Sequence, residues 1–313
     1  MNRQESFKKI KIVFMGSPQF AVPILSALRE NANLVAVVTQ PDKPAGRGKK
    51  MVASAVKEYA VEHAIPVLEP HRLRKEPASI EMLRSFHADL FVVAAYGQIL
   101  PASVLEIPQY GCINVHASLL PRWRGASPIQ TAILYGDNES GVTIMRMDEG
   151  MDTGPILKKD RVPIAPDDTG ETLSHRLSER GRDLLIEVIP EYLAGKIVPM
   201  PQDDAQATYA PLIKKEDGLL DLTKPVEFLE RKVRAFNPWP GTYLIWNEKQ
   251  LKVLEAEILP QNNQSVGKRG VHEKYPTIGG TGGVLKLKKV QIPGKGVVSG
   301  KDFLNGARDW ESD

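Results

Sequence analysis

Asn114 and His116 lie two residues apart in the stretch NVHASLLPRWRGASPI, Asn114 to Ile129. On a strand, that spacing turns both side chains to one side. A carboxamide donor and a titratable imidazole would then face one pocket. Asp152 follows in MDEGMDTG, 36 residues after His116. An amide, an imidazole and a carboxylate together can bind a carbonyl oxygen, hold the charge that develops on it and move a proton, which is the equipment of acyl transfer. The same three residues also fit a polar cluster that only satisfies its own hydrogen bonds at a sheet end. Spacing by itself leaves both readings open.

Other motifs carry less. GSPQF, Gly16 to Phe20, occupies the first strand-to-helix turn with one of the three glycines of a dinucleotide fingerprint, which argues against NAD. GVVSGKD, Gly296 to Asp302, lacks the spacing and the Ser/Thr of a phosphate-binding loop, and GGTGG, Gly279 to Gly283, reads as a turn. Asp152-Thr153-Gly154 spells the aspartic-protease triplet. That chemistry needs two carboxylates sharing a proton, and the surrounding pattern is α/β, so it is set aside. Neither a His-Glu-x-x-His nor a Cys/His ligand set occurs, so no metal is indicated. Cys112 is the single cysteine; it excludes an internal disulfide, fits a reducing cytosol, and reads as a small residue opening a buried strand.

These residues need a scaffold. Short apolar runs alternate with helical patterns through the first half: strands at Lys9–Met15, Leu34–Thr39, Ile65–Leu68, Leu90–Ala95 and Ile113–His116, and helices at Phe20–Arg29, Met51–His63, Ser79–His87 and Gly125–Tyr135. Val142–Met147 and Pro155–Val162 read as a late antiparallel pair. This alternation indicates an α/β domain with a mostly parallel sheet, whose ligands bind at the carboxyl ends of the strands. A long helix is expected from Asp168 to Gly195, with Asp168 and Glu171 as a capping pair, Gly195 as the stop and Pro190 as a bend. Val198–Tyr209 is polar and irregular. Beyond it, β-like runs at Thr242–Trp246, Leu251–Ile258 and Val284–Ile292, separated by Gly, Pro and Asn clusters, suggest a small β-barrel or sandwich. The division expected is residues 1–195 for catalysis, 196–213 as linker and 214–313 as a second domain.

The chain of 313 residues is long enough for two domains, with 42% apolar and 25% charged residues, as in soluble globular proteins. Its longest apolar runs are too short to cross a bilayer, and the basic N-terminus runs straight into a strand with no signal-peptide pattern. Net charge is +3, with a balance of +4 in residues 214–313 and −1 in the rest. A basic C-terminal third suggests a polyanionic partner. Thr39–Lys50, TQPDKPAGRGKK, carries four basic residues among two prolines and two glycines; it must be an exposed loop, with Arg47 suited to bidentate phosphate contact.

With MGSPQFAVPIL, TQPDKPAGRGKK, INVHASLLPRWRGASPIQ, MDEGMDTGPIL and AFNPWPGTY (Ala235 to Tyr243), the chain resembles the methionyl-tRNA formyltransferase family through nearly its whole length. SLLPRWRGA with the paired Asn and His is specific to folate-dependent formyltransferases; the basic loop and NPWPG point to the tRNA-specific members. The catalytic triplet shows no departure. Lys43 stands where arginine is also common, which keeps the charge but not the fork geometry.

The resemblance implies a Rossmann-like formyltransferase N-terminal domain and a C-terminal β-barrel of oligonucleotide-binding (OB-like) type. It implies formyl transfer from 10-formyltetrahydrofolate to the α-amino group of initiator methionyl-tRNA by a cytoplasmic monomer without a metal. Asn114, His116 and Asp152 would be catalytic: Asn114 and a protonated His116 donating to the oxygen that turns negative, Asp152 keeping His116 charged and relaying the amine proton through a water. Ser118, Leu119, Leu120 and Pro121 would contact the reduced pterin. Lys43, Arg47, Lys49 and Lys50 would hold the acceptor end of the tRNA, with Lys214 and Lys215 at the linker and Lys286, Lys288 and Lys289 in the barrel as secondary contacts. The competing readings are a formyltransferase acting on a small amine, such as glycinamide ribonucleotide or an amino sugar nucleotide, and a non-catalytic RNA-binding protein.

Overall fold

A computed structural model describes residues 7–45, 50–259 and 264–312. In chain order the first part contains β1 (Lys11–Gly16), α1 (Val22–Asn31), β2 (Asn33–Val38), the hairpin strands β3 (Lys43–Ala45) and β4 (Lys50–Val52), α2 (Ala55–Glu62), β5 (Val67–Leu68), α3 (Pro77–Ser85), β6 (Leu90–Ala94), α4 (Ala102–Leu105), β7 (Cys112–His116), β8 (Arg124–Gly125), α5 (Pro128–Leu134), β9 (Glu139–Arg146), β10 (Ile156–Pro163), α6 (Gly170–Leu193) and β11 (Tyr209–Ala210). There follow α7 (Val226–Ala235), β12 (Thr242–Trp246), β13 (Lys249–Leu259), β14 (Arg269–His272), β15 (Tyr275–Gly280), β16 (Gly283–Gln291), β17 (Val298–Ser299) and α8 (Gly300–Gly306).

The chain forms two compact units. The first takes the described residues up to Pro128, then Ser140–Val162 and Ser174–Ala210; the second takes Ile129–Glu139, Pro163–Leu173 and the described residues from Pro211 onward.

A seven-stranded sheet in the order β10-β9-β7-β6-β1-β2-β5 is the frame of the first unit. β2 and β6 flank β1 in parallel, β7 runs parallel to β6, and β5 runs parallel to β2. All five residues of β6, LFVVA, are buried, as a strand covered on both faces must be. β9 is antiparallel to β7, with His116 opposite Thr143 and Asn114 opposite Met145. Bonds from Arg146 N to Pro155 O and from Ile164 N to Asn138 O make β10 antiparallel to β9. The strand order reverses at β1, so the crevice between the carboxyl ends of β1 and β6 is the topological switch point.

Three local expectations are corrected. The helix expected from Met51 starts later. Met51 and Val52 pair with Pro44 and Lys43 in the hairpin, and Ser54 Oγ accepts from Lys57 N at 3.0 Å, which fixes the helix start behind it. The helix expected from Gly125 begins only at Pro128, because Gly125 has φ +114° and lies in β8. The cap of α6 is Thr169, whose Oγ1 accepts from Thr172 N, not the Asp168–Glu171 pair. Gly195, at φ +67°, ends that helix as expected.

The second unit is an antiparallel sheet, β12-β13-β16-β15-β14, with β17 on β16. Leu244, Val253, Ile278 and Leu287, from four different strands, share one core with Leu229 and Val233 of α7 and with Phe303 and Trp310. β12, β13, β15 and β16 therefore each turn a face to the same cluster. Residues Gly279–Gly283 form the β15–β16 hairpin tip, with Gly282 at φ +83°. Among the described residues no helix is long and apolar enough to cross a membrane.

Candidate active site

His116 is the last residue of β7, and Asn114 stands two before it, so both project from the carboxyl end of a sheet strand. Both are nearly buried. Asp152 reaches them from the turn after β9. Its Oδ1 lies 3.4 Å from Asn114 Nδ2 and 3.6 Å from His116 Nδ1, and its Oδ2 accepts from Gly125 N at 2.8 Å. The Asp152 side chain keeps 17% exposure, which leaves it open to a substrate. Its backbone is left-handed, φ +55°. That conformation costs about 1–2 kcal/mol for an L-residue and is best tolerated by Asn and Asp. The three groups expected from the sequence therefore converge in one place.

The loop after β7 completes the surroundings. His116 Nε2 lies 3.0 Å from Trp123 O, so that nitrogen carries a hydrogen and only Nδ1 faces Asp152. Thr143, fully buried on β9, donates to Ser118 O at 2.6 Å and accepts from Leu120 N at 3.1 Å. Lys159 Nζ donates to Leu120 O at 3.0 Å.

These contacts correct part of the expected pterin platform. Leu120 is fully buried in a cluster with Met145 and Ile156, and the Ser118 hydroxyl donates to Arg122 O at 2.6 Å. Neither offers its side chain to a ligand. Leu119 and Pro121 are half-buried and remain able to meet a flat ring, Leu119 lying over Gly141 of β9.

At the switch point, Ser54 and Thr39 share a hydroxyl bond of 2.6 Å, Thr39 donates to Ser17 at 3.2 Å, and Gln40 Nε2 donates to Tyr96 O at 2.8 Å. Lys57 Nζ donates to Asp42 at 2.7 Å and pairs with Glu69 at 2.9 Å; the bond to Asp42 leads in raising the Lys57 pKa. These bonds anchor the root of the basic loop. Lys43 and Lys50 are exposed on its two strands, Lys43 bonded to Gln40 Oε1. Arg47 and Lys49 lie outside the described residues.

Lys214 and Lys215 are exposed at the start of the second unit. Lys286, Lys288 and Lys289 already have carboxylate neighbours: Lys286 with Glu273 at 2.8 Å, Lys288 with Glu257 at 3.4 Å and Lys289 with Glu255 at 2.7 Å. Cys112 sits at the opposite end of β7 from His116, 1% exposed, and burial pushes its thiol up to about 12. A nucleophilic role does not fit it. The Asp-Thr-Gly triplet recurs at Asp168–Gly170. There Asp168 accepts from Ala165 N at 2.6 Å and Thr172 Oγ1 at 2.9 Å, as a turn and helix-start residue does.

Sequence reasoning missed Gly125 and Trp123, which hold Asp152 and His116 through backbone groups, and Thr143, whose buried hydroxyl bonds the main chain of Ser118 and Leu120. Only the glycine carried a signal, since a Gly after a charged residue in a loop invites a positive φ.

A family model described as formyl transferase matches residues 8–189, and one described as formyl transferase, C-terminal domain, matches residues 212–308. A methionyl-tRNA formyltransferase of Myxococcus xanthus (strain DK1622) is 47% identical over 301 residues, 95% of each chain. One from Citrifermentans bemidjiense is 45% identical over 303 residues, 95% of this chain and 93% of its own. Among solved structures, an N-formyltransferase from Helicobacter canadensis in complex with folinic acid and dTDP-3-aminofucose has a TM-score of 0.65 at 21% identity, covering 89% of this chain and 98% of that one. At that identity the likeness concerns the fold.

Proposed function

The chain belongs to the formyl transferase family, and from that premise we infer that it transfers the formyl group of 10-formyltetrahydrofolate to the α-amino group of methionyl initiator tRNA. The product is the N-formylmethionyl-tRNA of translation initiation. The observation that carries the catalytic part is the meeting of Asn114, His116 and Asp152 at the end of β7. The choice of tRNA as acceptor is supported by similarity to tRNA-specific relatives over both units.

The donor supplies a formyl carbonyl already activated toward amines. The side chains do the rest. The amine must attack as a free base and then lose a proton. Asp152 has one oxygen held by Gly125 N and the other facing the pocket; that second oxygen can take the proton directly or through a water. Asn114 keeps at least one amide hydrogen for the carbonyl oxygen as it gains charge. His116 can act through Nδ1 only, since Nε2 is engaged by Trp123 O. Leu119, Pro121 and the main chain of 118–121 are the residues of that loop that fit the donor ring. Lys43, Arg47, Lys49 and Lys50 would neutralise tRNA phosphates, with Lys214 and Lys215 adding to the field. The reading places the enzyme with the translation machinery of the cytosol, working as a monomer.

Incubation with 10-formyltetrahydrofolate and methionyl initiator tRNA, followed by hydrolysis and detection of formylmethionine, tests this directly. Formylation of a small amine such as an amino sugar nucleotide, with none on the tRNA, would overturn the acceptor while keeping the chemistry.

A further inference from the structure

Residues 198–209, read from sequence as a linker, bond into the first unit beside Asp152. Met200 exchanges backbone bonds with Ile156. Thr208 Oγ1 accepts from Trp123 N at 2.9 Å, and Tyr209–Ala210 pairs in parallel with Arg124–Gly125. Between these ends lies Gln202. Its Nε2 donates to Asp152 O at 2.8 Å and to Gly154 O at 2.7 Å. Its Oε1 accepts from Arg124 Nε at 3.0 Å and Nη2 at 2.9 Å. Arg124 is 1% exposed, and Nη2 also reaches Asp204 at 2.7 Å.

We propose that Arg124 and Gln202 are positioning residues for formyl transfer, setting the backbone of Asp152 and so the place where its carboxylate meets Asn114 and His116. The assignment rests on the catalytic reading of Asp152 given above. It follows from hydrogen-bond inventory. A guanidinium only donates and a carbonyl only accepts, so one amide orientation satisfies every partner. In that orientation both hydrogens and both lone pairs of Gln202 are in use. The two carbonyls it holds belong to the 152–153 and 154–155 peptide planes, so the bond to Asp152 O fixes the plane that follows the left-handed Asp152 and the bond to Gly154 O holds the turn beyond it. Arg124 in turn fixes Gln202, and the next residue, Gly125, supplies the N–H that holds Asp152 Oδ2. The strand pair β8–β11 thus grips Asp152 twice, once by its main chain and once by its carboxylate. Nothing in the stretch PQDDAQ marks a glutamine for this role; the carbonyls it holds lie 50 and 48 residues away along the chain and Arg124 lies 78 away.

The test is a double-mutant cycle in the full chain, read by single-turnover formylation of methionyl initiator tRNA. Gln202→Ala removes the clamp. Gln202→Glu keeps the shape and the acceptor for Arg124 but sets an anionic oxygen against two carbonyls, so it separates catalysis from folding. Both should lower the formylation rate by about ten- to a hundredfold, with KM for tRNA and for the folate within about twofold. The Gln202→Glu melting temperature should stay near that of the unaltered protein. On an Asp152→Asn background, Gln202→Ala should add less than about threefold, because it acts through that carboxylate. Full multiplication of the two effects, or unchanged rates in both single variants, overturns the proposal while leaving the reaction standing. An Asp152→Asn variant with an unaltered rate overturns the catalytic reading and the proposal together.

Discussion

The carbonyl oxygen of Trp123 lies 3.0 Å from Nε2 of His116. A carbonyl cannot donate, so the neutral ring holds its hydrogen on Nε2 and presents the Nδ1 lone pair toward Asp152. Nitrogen-15 NMR of the free protein, at a pH where the ring is neutral, should show His116 as the Nε2–H tautomer. The Nδ1–H form would mean that Trp123 does not orient the ring, and the loop from 117 to 123 would lose its part in the site.

Asn114 and Asp152 should be separable by substitution. Asn114→Ala deletes a donor aimed at developing charge, a loss that typically lowers turnover about 10²–10³-fold. Asp152→Asn keeps the shape and removes the proton acceptor, with a loss of about a hundredfold or more. In both, tRNA affinity should move by less than about twofold, because neither residue lies in the basic loop. Turnover near the unaltered value in either variant removes that residue from the chemistry.

Gly125 is where fold and site meet. Its φ is +114°, and a Cβ placed there would stand 2.6 Å from the backbone oxygen of Ala210. Gly125→Ala should therefore separate β8 from β11 and pull Gly125 N away from Asp152. The expected outcome is a stability loss of about 1–3 kcal/mol, read by denaturant unfolding, together with a fall in turnover. A variant that melts and turns over normally would show that this backbone is not constrained.

Asn114 and His116 were legible because alternation along a strand is a property of neighbours in sequence. Asp152 was legible as a type of residue, but not as a position: what brings it within 3.4 Å of Asn114 is a left-handed backbone and two long-range clamps. Leu120 shows the opposite limit. An apolar residue in a loop can face a ligand or the core, and only its packing against Met145 and Ile156 decides for the core. The α/β alternation was readable for the same reason as Asn114 and His116. The helix α7 was not claimed from the sequence, although Val226, Leu229 and Val233 fall on one face and are all buried; the surrounding β-like runs masked a clear helical period. The polar stretch 198–209 read as a linker because composition reports exposure on average, not the partners of one glutamine.

Cys112 supplies a pH test with a defined sign. Burial raises its thiol from 9.0 to about 12, so between those values the unfolded chain gives up a proton that the folded chain keeps. Stability from this group is complete below pH 9.0 and declines as pH rises toward 12, by up to about 1.4 kcal/mol per pH unit. Cys112→Ala should flatten that part of the stability profile and keep turnover within about twofold. Iodoacetamide should label Cys112 in denaturant but hardly in the native protein. Rapid native labelling, or a turnover loss in Cys112→Ala beyond its stability change, would show a reactive thiol in place of a buried packing residue.

The basic groups should differ in effect according to what already neutralises them. Lys286 and Lys289 have carboxylates at 2.8 and 2.7 Å, so RNA must compete with these partners for them. The loop 39–50 carries four cations against Asp42, and that carboxylate is bonded to Lys57. Its field toward phosphates is less cancelled. Arg47→Ala should therefore lower kcat/KM for methionyl-tRNA by about ten- to a hundredfold, flatten the salt dependence by about one unit of log–log slope, and leave folate binding intact. Lys43→Ala and Lys50→Ala should act in the same direction more weakly, since a lysine gives one point charge without a bidentate fork. Lys289→Ala should change kcat/KM by less than about threefold, because its removal also frees Glu255 to repel the RNA only at an exposed, screened site. Filter binding and formylation rates across a salt series measure all four. An Arg47→Ala variant that loses folate binding would place the loop over the donor instead of the tRNA, and a dominant Lys289 would move the principal RNA contact to the second unit.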